Sequence, residues 1–170
     1  RVIDTRLIGS PLATLVTLAA HQADAGFDGD AIESTIREMM PRCRIYFLVD
    51  TLEYLAKNGR IGDAAALLGS VLRVKPILTL QDGRAAEFEK SRTRRRAVAR
   101  LKELVLEQVP GDGSGYLSIM HAAVPDQAQS LADDLGQVLG LDSIPILDVP
   151  PAIVTHAGPG VLAVAFFVAA

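Results

Sequence analysis

Two glycine-containing loops carry the side chains best suited to chemistry, Asn58-Gly59-Arg60-Ile61-Gly62 and His156-Ala157-Gly158-Pro159-Gly160. Glycine lets backbone approach a ligand closely. Arg60 offers a planar fork of donors matched to a carboxylate or phosphate, and His156 donates or accepts near neutral pH. Together they could hold an acid headgroup. A plainer reading stands beside this one: Gly158, Gly160 and the other glycines shape turns, Arg60 pairs with a nearby carboxylate, and His156 is satisfied locally. Short glycine motifs match often by chance.

Other residue types suggest less. The run Arg92, Arg94, Arg95, Arg96, Arg100, Lys102 invites a nucleic-acid reading. Its helical spacing, however, sets much of it opposite an apolar stripe, and few aromatics are available for base stacking. We expect a solvated face. His21 and His121 have no partner at metal-ligand spacing, so no metal is implied. Asp133 and Asp134 should face solvent, and Asp4 and Thr5 should cap the helix from Ser10 onward or line a ligand site.

The elements that position these groups follow from periodicity and turn chemistry. Val2-Ile3-Asp4-Thr5 reads as a strand end, and Gly9-Ser10-Pro11 opens a helix on Leu12, Leu15, Val16 and Ala19 that closes at Gly26. A second helix runs from Gly29 to Met40 on Ile32, Ile36 and Met39, ending before Pro41. Arg44 to Val49 reads as a strand. Asp50 to Glu53 has capping-box spacing for a helix cut at Asn58-Gly59, and a further helix is expected from Asp63 through Leu67, Leu68 and Leu72.

Val74 to Leu80 is a strand near an edge because Pro76 cannot donate, and Asp82-Gly83 turns it into a returning strand, Ala85 to Lys90. A long helix, roughly Arg92 to Gln108, follows on Val98, Leu101 and Val105. Tyr116 to Met120, Ile144 to Val149 and Val161 to Val168 are strands, with a helix from Asp126 to Leu139. This alternation indicates an α/β fold.

Composition sets outer bounds. About half of the 170 residues are apolar and 22% are charged, as a packed globule requires, and a net charge of -3 gives no long-range pull toward nucleic acid or anionic lipid. Cys43 is the single cysteine, which excludes an internal disulfide and fits a reducing cytoplasm. The longest apolar tract, Val161 to Ala170, is about half of what a helix needs to cross a bilayer. The first residue is Arg1 and not methionine, so we expect that something upstream has been removed.

Several of these motifs, in order, resemble the DegV family. Phe47-Leu48-Val49-Asp50-Thr51-Leu52-Glu53-Tyr54-Leu55 running into Lys57-Asn58-Gly59-Arg60-Ile61 is similar to the family's strand and helix leading into a Gly-Arg-Ile loop. Ala64 to Leu68, Lys75-Pro76-Ile77-Leu78, Asp82-Gly83, Ser91-Arg92-Thr93 and His156-Ala157-Gly158-Pro159-Gly160 are similar to successive landmarks, and Val2 to Thr5 to an Asp-Ser strand end. Ala157 and Gly62 stand where a threonine and a serine are common.

The resemblance implies a two-domain fold, of which residues 1–41 would be a helical remnant of the N-terminal α/β domain and residues 42–170 the C-terminal α/β domain. It implies a non-catalytic carrier that buries a long-chain fatty acid and presents the carboxyl group to a fatty acid kinase, with no cofactor. At about 0.8 kcal/mol per buried methylene, a sixteen-carbon tail supplies on the order of ten kcal/mol before ordering costs. By position, Arg60, His156, Gly158 and Gly160 would lie at the headgroup, and Arg92 would be a surface contact for the kinase. The headgroup hydroxyls that the family carries upstream of the Asp-Ser strand have no counterpart in this sequence. An exposed edge or apolar face on the helices before Pro41 should then be left open unless another chain covers it, and we expect association or disorder there. The competing readings are an acyl- or phosphoryl-transfer enzyme using His156 and a nucleic-acid module on the Arg92 to Lys102 helix.

Overall fold

The computed structural model describes residues 1–67, with Leu67 as backbone alone, and residues 75–170. Within these lie six helices, α1 (Ser10–Asp24), α2 (Gly29–Met39), α3 (Glu53–Lys57), α4 (Arg94–Gln108), α5 (Pro125–Leu139) and α6 (Pro151–Ala157). Six strands, β1 (Cys43–Leu48), β2 (Lys75–Gln81), β3 (Arg84–Ser91), β4 (Ser118–His121), β5 (Ile146–Asp148) and β6 (Leu162–Phe167), form one sheet in the order β3-β2-β1-β6-β4-β5.

Neighbouring strands are antiparallel except β4 and β5, which run parallel because α5 carries the chain back across the sheet between them. The β2–β3 turn has Asp82 at φ 51 and Gly83 at φ 74, a two-residue turn with both central residues left-handed, whose twist matches the flanking strands. β2 lies one strand in from the β3 edge, with Pro76 opposite Lys90 near its start.

Each face of the sheet is covered. On one, Leu48, Ile77, Ile119, Leu162, Val164 and Phe166 meet Leu101, Leu104 and Val105 of α4 and Leu131 and Leu135 of α5. Ala97 and Leu104 join the inward stripe of α4, whereas Val98 is half-buried. The other face carries Ile45, Phe47, Leu78, Met120, Ala163 and Ala165, packed with Leu55 of α3 and Ala157 of α6. Near the far end of that face, α1 and α2 close over Phe167 through Leu15, Ile36 and Met39. The buried Ser118 hydroxyl donates to Ser10 Oγ at 2.8 Å, and the Ser10 N–H points at Met120 Sδ at 3.2 Å, so α1 starts directly against β4.

Five local expectations change. Val2 to Thr5 pairs with no strand, and Asp4 and Thr5 do not cap α1. They accept from Arg6 and Leu7 N–H groups in tight local turns, while Gly9 precedes the helix without a side-chain cap. The Asp50–Glu53 capping box is absent because Asp50 pairs with Arg94, and Thr51 Oγ1 accepts the Glu53 N–H instead. From Gly62 to Leu67 the backbone makes a 3-10 turn, not the start of an α-helix, and Leu68 and Leu72 lie outside the described residues. The segment carrying His156, expected as a loop, is helix α6, opened by Pro150-Pro151.

Val16 on α1 and Phe27 in the turn to α2 stand 61% and 54% exposed. No helix among the described residues is long and apolar enough to cross a membrane.

Leu101 is fully buried between α4 and the sheet. Leu101→Ala should cost about 2–5 kcal/mol, read as a lower urea midpoint at unchanged slope.

Candidate functional site

Where α3, α6 and the β2–β3 hairpin approach one face of the sheet, a cavity of about 180 Å³ remains. Its floor is Ile45 and Phe47 of β1, Ala85 of β3 and Ala163 of β6. Small residues leave room there: Ala163 sits opposite Phe47, and Ala85 opposite Leu80. Leu55, Ile153 and Ala157 supply walls, and Ile8 reaches in from the segment before α1. Two lining residues are polar, Arg60 and His156.

The structure therefore brings together two side chains from distant parts of the chain. Arg60 follows α3, where Gly59 at φ 64 ends the helix and the Arg60 carbonyl accepts from the Ala85 N–H. His156 lies on the last turn of α6. Among the described residues Arg60 has no carboxylate within ion-pair distance, and Nη1 donates to the Asn58 carbonyl at 3.1 Å. His156 Nδ1 is buried without a hydrogen-bond partner among the described residues. Native structures pair the great majority of such atoms, so an orphan beside a cavity calls for a ligand or water.

Gly158 and Gly160 are not cavity-lining residues. Gly158 lies under the Tyr54 ring and Gly160 against the Asp50 carboxylate, both with positive φ. They shape the turn that returns α6 to β6. Holding that turn is Arg94, whose weight was not visible in the sequence because it sits inside a basic run. Its guanidinium donates to Asp50 Oδ1 at 2.8 Å, the Gly160 carbonyl at 2.7 Å and Gln127 Oε1 at 2.8 Å, tying the end of β1 and the start of α5 to the glycine turn.

Two members of the remaining basic run are paired with carboxylates. Arg100 is shared among Glu107, Glu89 and Glu103, which hold its proton more tightly than usual, and Lys102 pairs with Asp134. Arg92, Arg95 and Arg96 are exposed, with Arg92 in the link between β3 and α4. His21 is exposed on α1, and His121 Nε2 lies 3.8 Å from Asp148 at the ends of β4 and β5. No cluster of three metal-ligating side chains occurs among the described residues.

Next to the cavity, and sharing Ile45, Leu80 and Gly83 with it, an open groove of about 700 Å³ runs past Leu7, Met40, Cys43 and Phe88. Burial pushes the Cys43 thiol from its ordinary 9.0 up to about 12.

With these features in place, the chain matches a family model described as "Uncharacterised protein, DegV family" over residues 1–169. The chain belongs to the DegV family. A DegV domain-containing protein of Streptomyces coelicolor is 41% identical over 96% of this chain and 58% of the relative. One from Clostridium acetobutylicum is 36% identical over 98% of this chain and 58% of its own length. The chain thus spans under two thirds of these relatives. A fatty acid binding DegV family protein from Streptococcus agalactiae superposes with a TM-score of 0.90 at 29% identity, over 100% of this chain and 60% of the other. DegV of Bacillus subtilis, described as a fatty acid binding protein, gives 0.84 at 28% identity over 98% and 60%.

Gly160 combines φ 84 with no room for a Cβ, which would collide with the Asp50 carboxylate. Gly160→Ala should therefore lose about 1–3 kcal/mol of stability, measured by denaturant unfolding. Cys43 gives a pH signature. The unfolded thiol releases its proton from about pH 9 while the folded one keeps it toward 12, so this group lowers stability as pH rises through that window. Unfolding free energy measured from pH 8 to 10.5 should fall more steeply in the wild type than in Cys43→Ala.

Proposed function

We propose that this DegV-family chain carries a long-chain fatty acid, with the carboxylate at Arg60 and His156 and the tail against the sheet. The observation that carries the reading is one hydrocarbon-lined cavity bordered by a cation and an unsatisfied imidazole. Arg60 supplies a charge-assisted donor for a carboxylate, and a carboxylate or its bound water would satisfy His156 Nδ1. Every other lining group is apolar, which suits an alkyl chain.

The cavity is smaller than the roughly 300–1,000 Å³ usual for ligand pockets, so a long tail continues along the adjoining groove. Tail burial provides affinity and the two polar groups fix orientation. Fatty acid binding by the S. agalactiae and B. subtilis relatives points the same way.

The carrier role is preferred over a transfer enzyme because His156 has no hydrogen-bonded carboxylate among the described residues to form an acid–base pair. In this reading the chemistry belongs to a fatty acid kinase in the cytoplasm, and exposed Arg92 meets it, affecting mainly encounter rate and salt dependence. Gly158 and Gly160 act through backbone, holding the turn beside His156. Residues 1–41 belong to a first domain and residues 42–170 to a second, packed through Ser10, Met120 and Phe167.

Native mass spectrometry of the protein purified from cells should show an added acyl mass. Delipidated protein that takes up no palmitate overturns the reading. Arg60→Ala and His156→Ala should each weaken palmitate binding by about tenfold or more in calorimetric titration.

A further inference from the structure

We infer that Asn58 is the positioning residue that sets Arg60 and His156 in register, an inference that rests on the headgroup reading above and deepens it. The two side chains belong to different elements, so neither element alone fixes their spacing. Asn58 bonds to both sides. Its backbone carbonyl accepts from Arg60 Nη1 at 3.1 Å, and its side-chain amide donates to the carbonyl of Thr155, the residue before His156, at 3.0 Å. The same amide nitrogen donates to the Tyr54 carbonyl at 2.8 Å, and the Tyr54 ring covers Gly158 just beyond His156.

The chemistry asks for a short side chain with two N–H bonds to give to two carbonyls. Asparagine meets that, whereas aspartate has acceptors alone when ionised. Ending α3 does not require it. The Asn58 backbone N–H reaches the Ala56 and Tyr54 carbonyls whatever the side chain, and Gly59 provides the left-handed residue. The side chain is therefore left with one distinctive task, tying the Arg60 loop to α6. Holding two headgroup contacts at a set separation before the ligand arrives removes an ordering cost from binding.

The test uses the full chain with two variants, Asn58→Ala and Asn58→Leu, the second keeping a branched shape without donors. Two probes share a tail: palmitate, and hexadecanol, which lacks the carboxylate. Both variants should bind palmitate more weakly by on the order of tenfold, with hexadecanol changed less than about twofold. In ligand-free protein, both should also shift the His156 imidazole nitrogen resonances. Equal losses for the two probes, or unchanged palmitate affinity, overturn the positioning role. Wild-type protein that takes up neither probe overturns the headgroup reading instead; His156 resonances unmoved in both variants then overturn the Asn58 role as well.

Discussion

A buried imidazole nitrogen without a partner, set beside hydrocarbon, is the constraint on which the rest of this structure depends. Leaving such an atom unpaired costs about 1–3 kcal/mol, a sizeable share of the stability of an ordinary domain. The chain carries it where a cavity adjoins the residue, and it does not fill that cavity. Ala85, Ala157 and Ala163 face it in place of larger side chains. On the opposite face, Leu48, Ile77, Leu162 and Phe166 pack against α4 and α5.

Empty space and unpaired polar atoms both weaken a fold, and rigid supports surround them here. Arg94 anchors the turn after His156 by bonding Asp50, Gln127 and the Gly160 carbonyl at once. The ion pair itself counts for little, since Asp50 is about half exposed. Its value is geometric: one planar fork fixes three segments that would otherwise move separately. A mixed sheet suits this arrangement, because β1, β6 and β4 all end or begin beside the same turn.

Local rules suffice for elements whose partners lie within a few positions in the chain. The Asp82-Gly83 turn, the two helices before Pro41 and the basic helix capped by Thr93 are legible because each depends on residues within a few positions. Where distant partners compete, local rules fail. Asp50 has the spacing of a helix cap but goes to Arg94, and Val2 to Thr5 looks like a strand but has no neighbour with which to pair. His156 was legible as a candidate through its glycines, yet its place on a helix was not. Pro150-Pro151 reads equally as a loop until the sheet supplies a surface for Ile153 and Ala157.

By itself, the sequence determined the main helices and the strands of the sheet, the glycine turns after α3 and α6, and the chemical types of Arg60 and His156. Those follow from backbone torsion, side-chain period and the ionisation of single groups, which operate over short stretches. Tertiary structure alone decided that the two groups border one cavity, that Gly158 and Gly160 support the turn without lining it, and that Arg94 is a clamp and not one more surface charge. A cavity is space left between side chains contributed by many elements, and pairing is decided by which groups arrive within bonding reach; neither is a property of neighbouring residues.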